Sequence, residues 1–250
     1  MCKYPTMIVY FAASADYFQQ FGKALIRSVQ ANSSAGIKAH IYNPEPQDLQ
    51  WCDQHNVAYT CEHITLDQFR TAADQWRRAD CDPAKLHSIN EAMRKGGQTQ
   101  LEQRMMSTYC ACQRFVKLAE IFDQPTLAID VDAVVRKEIP VLPDANDFYI
   151  HHITGRRARF LAGGLYLHAA AKPFLREYAT VLKQHMDRDD LWWGLDQDVL
   201  ANIVPKYKWA QLPSTLIDWH MQPDSVIWTA KGTRKDLPSF IDEQSKYSFE

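Results

Sequence analysis

The residues best suited to chemistry are two aspartates separated by a single residue. They stand in LAIDVDAVV, residues 127–135. Leu127, Ala128 and Ile129 lead in and Val134 and Val135 follow, the composition of a buried strand. An ionised carboxylate is costly in such surroundings unless it is paired, hydrogen-bonded or bound to a cation. Residues two apart in a strand share a face, so Asp130 and Asp132 are expected to aim at one spot. Two hard oxygen donors converging there suit Mg²⁺ or Mn²⁺, above all a cation that also holds phosphates. A strand ending in a polar turn, with both aspartates in water, is the plainer alternative.

Other residues offer complementary chemistry. Lys231, Arg234 and Lys235 flank Gly232 in TAKGTRKD and supply either phosphate contacts or a solvated basic loop. Asp196 and Asp198 open DQDVLANIV, a helical stretch whose dipole favours carboxylates, so capping alone accounts for them as well. Just before them, LWWGL places Trp192 and Trp193, aromatics that stack on a sugar or fill a core. The arginines of GRRAR (155–159) suit an anionic acceptor or a solvated loop. Arg114, at helical spacing from Cys110 and Lys117, reads as a nucleotide contact or a surface ion pair. His151, His152 and His168 fall at strand ends and read as polar ends rather than ligands.

The elements that must position these groups follow from apolar periodicity. MIVYFAA (7–13) predicts a strand, and residues 16–32 a helix with Tyr17, Phe21, Leu25, Ile26 and Val29 on one face and Asp16 as N-cap. Strands are expected at 38–43 and 57–63, with a short helix at 46–55 between them. This β-α-β-α-β order argues for a parallel, doubly wound sheet with ligands at the carboxyl ends of its strands. Residues 64–105 are polar and helical, broken at KGG (95–97), and read as an insertion or flap. A stronger amphipathic helix (106–122) leads into the Asp130 strand. Strands at 147–153 and 160–168, helices at 172–186 and 196–204, and a strand entering a glycine turn at 225–236 complete the pattern. The chain shows no internal repeat and no low-complexity linker.

The 250 residues suit a single domain, and 46% hydrophobic content with 23% charged residues is ordinary for a globular protein. A net charge of -2 gives no basic field for nucleic acid or an anionic membrane. MCKYPTMIVY predicts no signal peptide, and no apolar run approaches a membrane span. The six cysteines, Cys2, Cys52, Cys61, Cys81, Cys110 and Cys112, show no C-x-x-C spacing and are expected as reduced, mostly buried thiols in a cytoplasmic protein.

In order and spacing, these features resemble the GT-A fold glycosyltransferases, in particular the retaining group that includes glycogenin and the bacterial lipopolysaccharide galactosyl- and glucosyltransferases. The likeness covers most of the chain. VYFAASADYF resembles the opening strand and base-binding loop, YCACQRFVKLAEIF the arginine-bearing helix, LAIDVDAVV the DxD strand, FLAGGLYLH the small-residue strand at the donor sugar, and GLDQDVLANI the aspartate-bearing helix start. The resemblance implies an α/β GT-A (Rossmann-like) domain over 1–250, with a mostly parallel twisted sheet flanked by helices. It implies a hexosyltransferase that uses a nucleotide-sugar donor, a UDP-sugar favoured over GDP, and a glycan, lipid-linked or protein acceptor. Ala12, Ala13, Asp16 and Tyr17 would line the base pocket, and Arg114, with Lys117, would face the nucleotide. Asp130 would contact the ribose or the metal, Asp132 would ligate Mn²⁺ or Mg²⁺, and Gly163 and Gly164 would leave room for the sugar. Asp196 and Gln197 would sit at the anomeric carbon and acceptor. Lys231, Gly232 and Lys235 would meet the diphosphate.

Two positions depart from the family pattern. Leu161 or Ala162 stands where an asparagine is usual, and Thr229 stands where the histidine of H-x-x-G-x-x-K-P-W supplies the third metal ligand. His220, water, or the charges of Lys231, Arg234 and Lys235 are the substitutes. The same departures fit a non-catalytic module that binds nucleotide sugar or glycan. DVDAV also resembles the nucleophile motif of haloacid-dehalogenase-type phosphatases. That motif normally follows the first strand, whereas three precede it here, and Ala133 replaces its usual glycine.

Overall fold

A computed structural model describes residues 7–70, 83–154 and 159–248. The expected opening order is present: β1 (Ile8–Ser14), α1 (Lys23–Asn32), β2 (Gly36–Tyr42), α2 (Pro46–Gln54) and β3 (Ala58–Glu62). The chain turns helical directly at the end of β1, through Ala15–Tyr17 and a π-helical stretch, Phe18–Gly22. The N-cap is therefore Ser14, whose Oγ accepts from the Tyr17 amide, and Asp16 lies inside the first turn instead. At α2, Glu45 and Asp48 form a reciprocal capping box around Pro46.

Helix α3 (Pro83–Ile121) unites much of the expected insertion with the amphipathic helix after it. It breaks where KGG predicted, at Gly96 and Gly97; the Gly97 backbone (φ +65°, ψ −146°) suits glycine alone. Beyond the break, Leu101, Met105, Cys112, Phe115 and Leu118 recur at helical spacing and are buried.

The rest of the chain comprises β4 (Thr126–Ile129), β5 (Ala133–Val135), β6 (Phe148–Ile153), β7 (Arg159–Leu167), α4 (Lys172–Asp187), α5 (Leu195–Ile203), β8 (Trp209–Gln211), β9 (Ile217–Asp218), β10 (Ile227–Thr229) and α6 (Pro238–Ser245). The main sheet has the order β3-β2-β1-β4-β7-β6-β8, and β7 alone runs against its neighbours. A small second sheet has the order β5-β10-β9. This is the α/β, mostly parallel architecture expected. β8, β9 and α6 are additions, too short to leave a periodic signal.

One expectation is corrected. LAIDVDAVV is not one strand: β4 ends at Ile129 in the main sheet, and β5 begins at Ala133 in the small one. Between them, the Asp130 amide donates to the Gly163 carbonyl at 3.3 Å, while the Asp132 carbonyl accepts from the Ala230 amide at 2.9 Å. The chain thus changes ladders within three residues, and the period-two rule does not govern where the two carboxylates point.

Alternating strand residues feed two cores. Ile8, Tyr10 and Ala128 pack with α3, α4 and α5 on one face. Val9, Phe11, Leu127 and Ile129 pack with α1, α2 and α6 on the other. Cys52 and Cys112 are buried, Cys110 is half-buried and Cys61 exposed, and all four are free thiols; Cys2 and Cys81 lie outside the described residues. Among the described residues, no helix is long and apolar enough to cross a membrane.

Candidate active site

β1 lies between β2 and β4, which continue in opposite directions across the sheet, so a crevice is expected beyond the carboxyl ends of β1 and β4. Ser14 to Tyr17 leave β1 there, and Asp130 leaves β4 there. Buried Tyr10 and Tyr42, from β1 and β2, donate hydroxyl hydrogen bonds to the carbonyls of Arg114 (2.8 Å) and Cys110 (2.9 Å), one turn apart on α3. At the end of β3, Glu62 accepts from Tyr109 (2.6 Å) and Gln113 (2.9 Å). The sheet thereby fixes the helix that carries Arg114 over the crevice.

Arg114 is the organising cation. Its Nη1 donates to Asp130 Oδ1 at 2.6 Å; its Nη2 donates to the Ala162 carbonyl at 3.1 Å and lies 3.6 Å from Asp196 Oδ2. Burial would lower its pKa, but the Asp130 and Asp196 carboxylates outweigh that and hold it charged. Asp196 is positioned by Gly194, whose left-handed backbone (φ +93°) starts α5, and by Tyr178, whose hydroxyl donates to the Asp196 carbonyl at 3.0 Å. Burial pushes the Asp196 carboxyl up, and Arg114 opposes this.

Around this clamp lies a cleft of about 580 Å³, part of it open to solvent. Its lining includes Thr108, Arg114, Asp130, Gly163, Trp193, Asp196, Gln197 and Lys231. Gln197 Oε1 is buried there with no hydrogen-bond partner among the described residues, an acceptor open to a ligand donor. A second cluster forms where β10 returns past the bend. Lys235 Nζ lies 2.9 Å from Asp132 Oδ2 and 3.0 Å from the Tyr17 hydroxyl, and sits 4.4 Å above the Tyr17 ring centroid. Burial raises the Asp132 carboxyl, the Asp130 charge adds to this, and Lys235 opposes it. For Lys235, burial acts downward, but the Tyr17 hydroxyl and Asp132 carry its pKa up.

The structure thus brings Arg114, Asp130, Gly163, Asp196, Gln197 and Lys231 to one cleft and joins Tyr17, Asp132 and Lys235 beside it. Other expected residues lie differently. Ala13 is buried in the core, Ala12 is half-buried, and Asp16 is exposed. Lys117 lines another groove and pairs with Glu120 at 3.1 Å. A Cβ on Gly163 would strike the Asp130 carboxylate, and one on Gly164 would meet Ile217 Cδ1 at 2.8 Å. The space at Gly163 therefore admits Asp130, and that at Gly164 admits a core side chain. Gly232 (φ +68°) opens the 3₁₀ turn that carries Lys235. Trp192 packs inward and donates to Asp198 at 2.7 Å, leaving exposed Trp193 at the cleft. Of the GRRAR run, residues 155–158 lie outside the described residues. Sequence reasoning missed Thr108 and Ala111, which line the cleft about two turns and one turn before Arg114; helical spacing from Arg114 was the available signal.

The expected metal site is incomplete. Thr229, at the histidine position, turns its hydroxyl to the Asp132 carbonyl at 3.4 Å. His220 is exposed in a separate groove with Trp219, Lys231 and Arg234. Among the described residues, no three His, Cys, Asp or Glu side chains converge as a cation site.

No family model matches the chain, and no curated protein matches it. Solved structures do. The glycosyltransferase GlyE of Streptococcus pneumoniae TIGR4 superposes with a TM-score of 0.57 at 14% identity, over 97% of this chain and 60% of that one. Its apo form gives 0.56 at 13% identity with the same coverage. The chain thus spans three fifths of the length of these pneumococcal structures. The galactosyltransferase LgtC, in complex with donor and acceptor sugar analogues, gives 0.52 at 12% identity over 97% of both chains. At such identities the likeness establishes the fold: this chain has the GT-A fold.

Proposed function

We propose that the protein transfers a hexose from a nucleoside-diphosphate sugar, with UDP the favoured nucleotide, to an acceptor hydroxyl. The observation that carries this reading is the cleft at the end of β4, which buried Asp196 and Gln197, whose Oε1 has no hydrogen-bond partner among the described residues, line together with Lys231, Arg114 and Asp130. In such a transfer the bond from the anomeric carbon to the diphosphate breaks and its electron pair leaves with phosphate. The acceptor oxygen bonds to that carbon and its proton goes to the departing diphosphate. Lys231, at the cleft wall, is placed to offset charge on the departing diphosphate. Asp196 and Gln197 offer acceptors for sugar and acceptor hydroxyls, and Arg114 fixes the carboxylates so that they need not reorganise. Trp193, more than half exposed at the cleft, offers a face for a sugar ring.

The Mn²⁺ or Mg²⁺ expected at Asp130 and Asp132 does not fit the donors present. Each carboxylate already holds a cationic side chain, and no third protein ligand joins them among the described residues. No step above depends on a metal. The whole 1–250 chain is read as one catalytic domain with 64–105 an insertion. The free thiols at positions 52, 61, 110 and 112 favour a cytoplasmic setting. The GT-A fold leaves the phosphatase alternative without support.

Thermal unfolding with UDP, GDP and their common sugars tests the reading, together with nucleotide release from each donor sugar. A ligand at a hundredfold excess over its Kd adds about 2.7 kcal/mol. That corresponds to about 5–10 °C for a chain of this size. One nucleotide should give such a shift, and its sugar should be turned over by wild type but not by Asp196→Asn. A shift without turnover identifies a binding module. No shift with any nucleotide refutes the donor site.

A further inference from the structure

We infer that the ammonium of Lys235 takes the place of a divalent cation beside Asp132, so that the donor's diphosphate is held by lysine charge alone. This deepens the proposed function and rests on it. The ammonium is caged rather than draped on the surface: its side chain is 19% exposed, between Asp132 Oδ2, the Tyr17 hydroxyl and the Tyr17 and Phe21 rings. The cage is built by the backbone. Thr229 pairs with Ala133 across β10 and β5, so the turn that follows must come back over the Asp130–Asp132 bend. Gly232 takes a left-handed conformation to make that return.

An ammonium has three donors. Asp132 and Tyr17 take two of Lys235's, which leaves one for a phosphate oxygen. Charge agrees with this count. Asp130 and Asp196 share Arg114, Asp132 is paired with Lys235, and Lys231 adds a further cation at the cleft wall. A divalent cation on Asp132 would have to displace Lys235 from a 2.9 Å contact and would find the Thr229 hydroxyl already turned to a backbone carbonyl.

The test is calorimetric titration of the full chain with UDP, in excess EDTA and again in MnCl₂ or MgCl₂, alongside Lys235→Met and Lys235→Arg. The inference expects equal UDP affinity with EDTA and with either metal. It expects Lys235→Met to weaken UDP about tenfold or more, the scale of one charge-assisted hydrogen bond, and Lys235→Arg to keep most of the affinity. UDP binding that appears only with Mn²⁺ or Mg²⁺ overturns the inference and leaves the glycosyltransferase reading standing. No binding of UDP or GDP in any condition overturns that reading and the inference with it. The wild-type comparison of EDTA with metal needs no variant, so it decides between lysine and metal even where Lys235→Met misfolds.

Discussion

Replacing Arg114 with methionine removes the one guanidinium that serves Asp130, Asp196 and the Ala162 carbonyl together. The Arg114 side chain is 13% exposed and that of Asp196 10%, while Asp130 is 26% exposed. Removing one partner from a buried ion pair costs about 3–5 kcal/mol, because a charge is left without compensation. Water reaches Asp130, so the lower end applies, about 3 kcal/mol. Each kcal/mol moves the Tm of a chain this long by about 2–4 °C, giving an expected fall of about 6–12 °C at pH 7. The pH dependence has a definite sign. Burial already raises the Asp196 carboxyl, and losing Arg114 raises it further. A raised carboxyl costs stability when ionised and none when protonated, so the deficit is full at neutral pH and shrinks as pH falls through that raised value. Adding Asp196→Asn to the methionine variant removes the stranded charge and should recover a large part of the loss. Calorimetric unfolding of both variants and wild type between pH 5 and pH 8 measures all of this. A fall of less than about 2 °C, or no recovery in the double variant, refutes the clamp.

His40 gives a second pH signature. Burial holds its imidazole near a pKa of about 4, and its Nδ1 lies 2.7 Å from Thr60 Oγ1. A histidine with a depressed folded pKa supplies stability in full above its unfolded value, about 6.5, and loses it as pH falls toward 4, a change of about 3 kcal/mol. His40→Gln should flatten the stability curve across that window; an unaltered slope contradicts the assignment. Gly163→Ala places a methyl against the Asp130 carboxylate. It should cost about 1–3 kcal/mol and weaken UDP, and a neutral result would show that Asp130 has freedom to turn away from Arg114.

Local chemistry in the chain specified much of this protein. Apolar periodicity marked β1 to β3, the amphipathic half of α3 and α4, because burial of one face imposes a pattern readable within a few turns. KGG marked the break at Gly96 and Gly97, because the chain needs glycine for that backbone. Residue type also singled out Arg114, Asp130, Asp196 and Lys231, and the family resemblance added Gln197 and Gly163; all six line the cleft.

Partnership was not legible. Asp130 and Asp132 looked like one pair on one strand face, yet Asp130 takes Arg114, 16 residues away, and Asp132 takes Lys235. Similarly, Ala13 and Lys117 read as site residues but face the core and another groove. The direction of a side chain at a bend depends on which ladder each flanking peptide joins. β4 joins β7, while β5 joins β10 from the far end of the chain. No window of local sequence encodes that choice; it is settled only when distant strands pair, and with it which cation each aspartate meets.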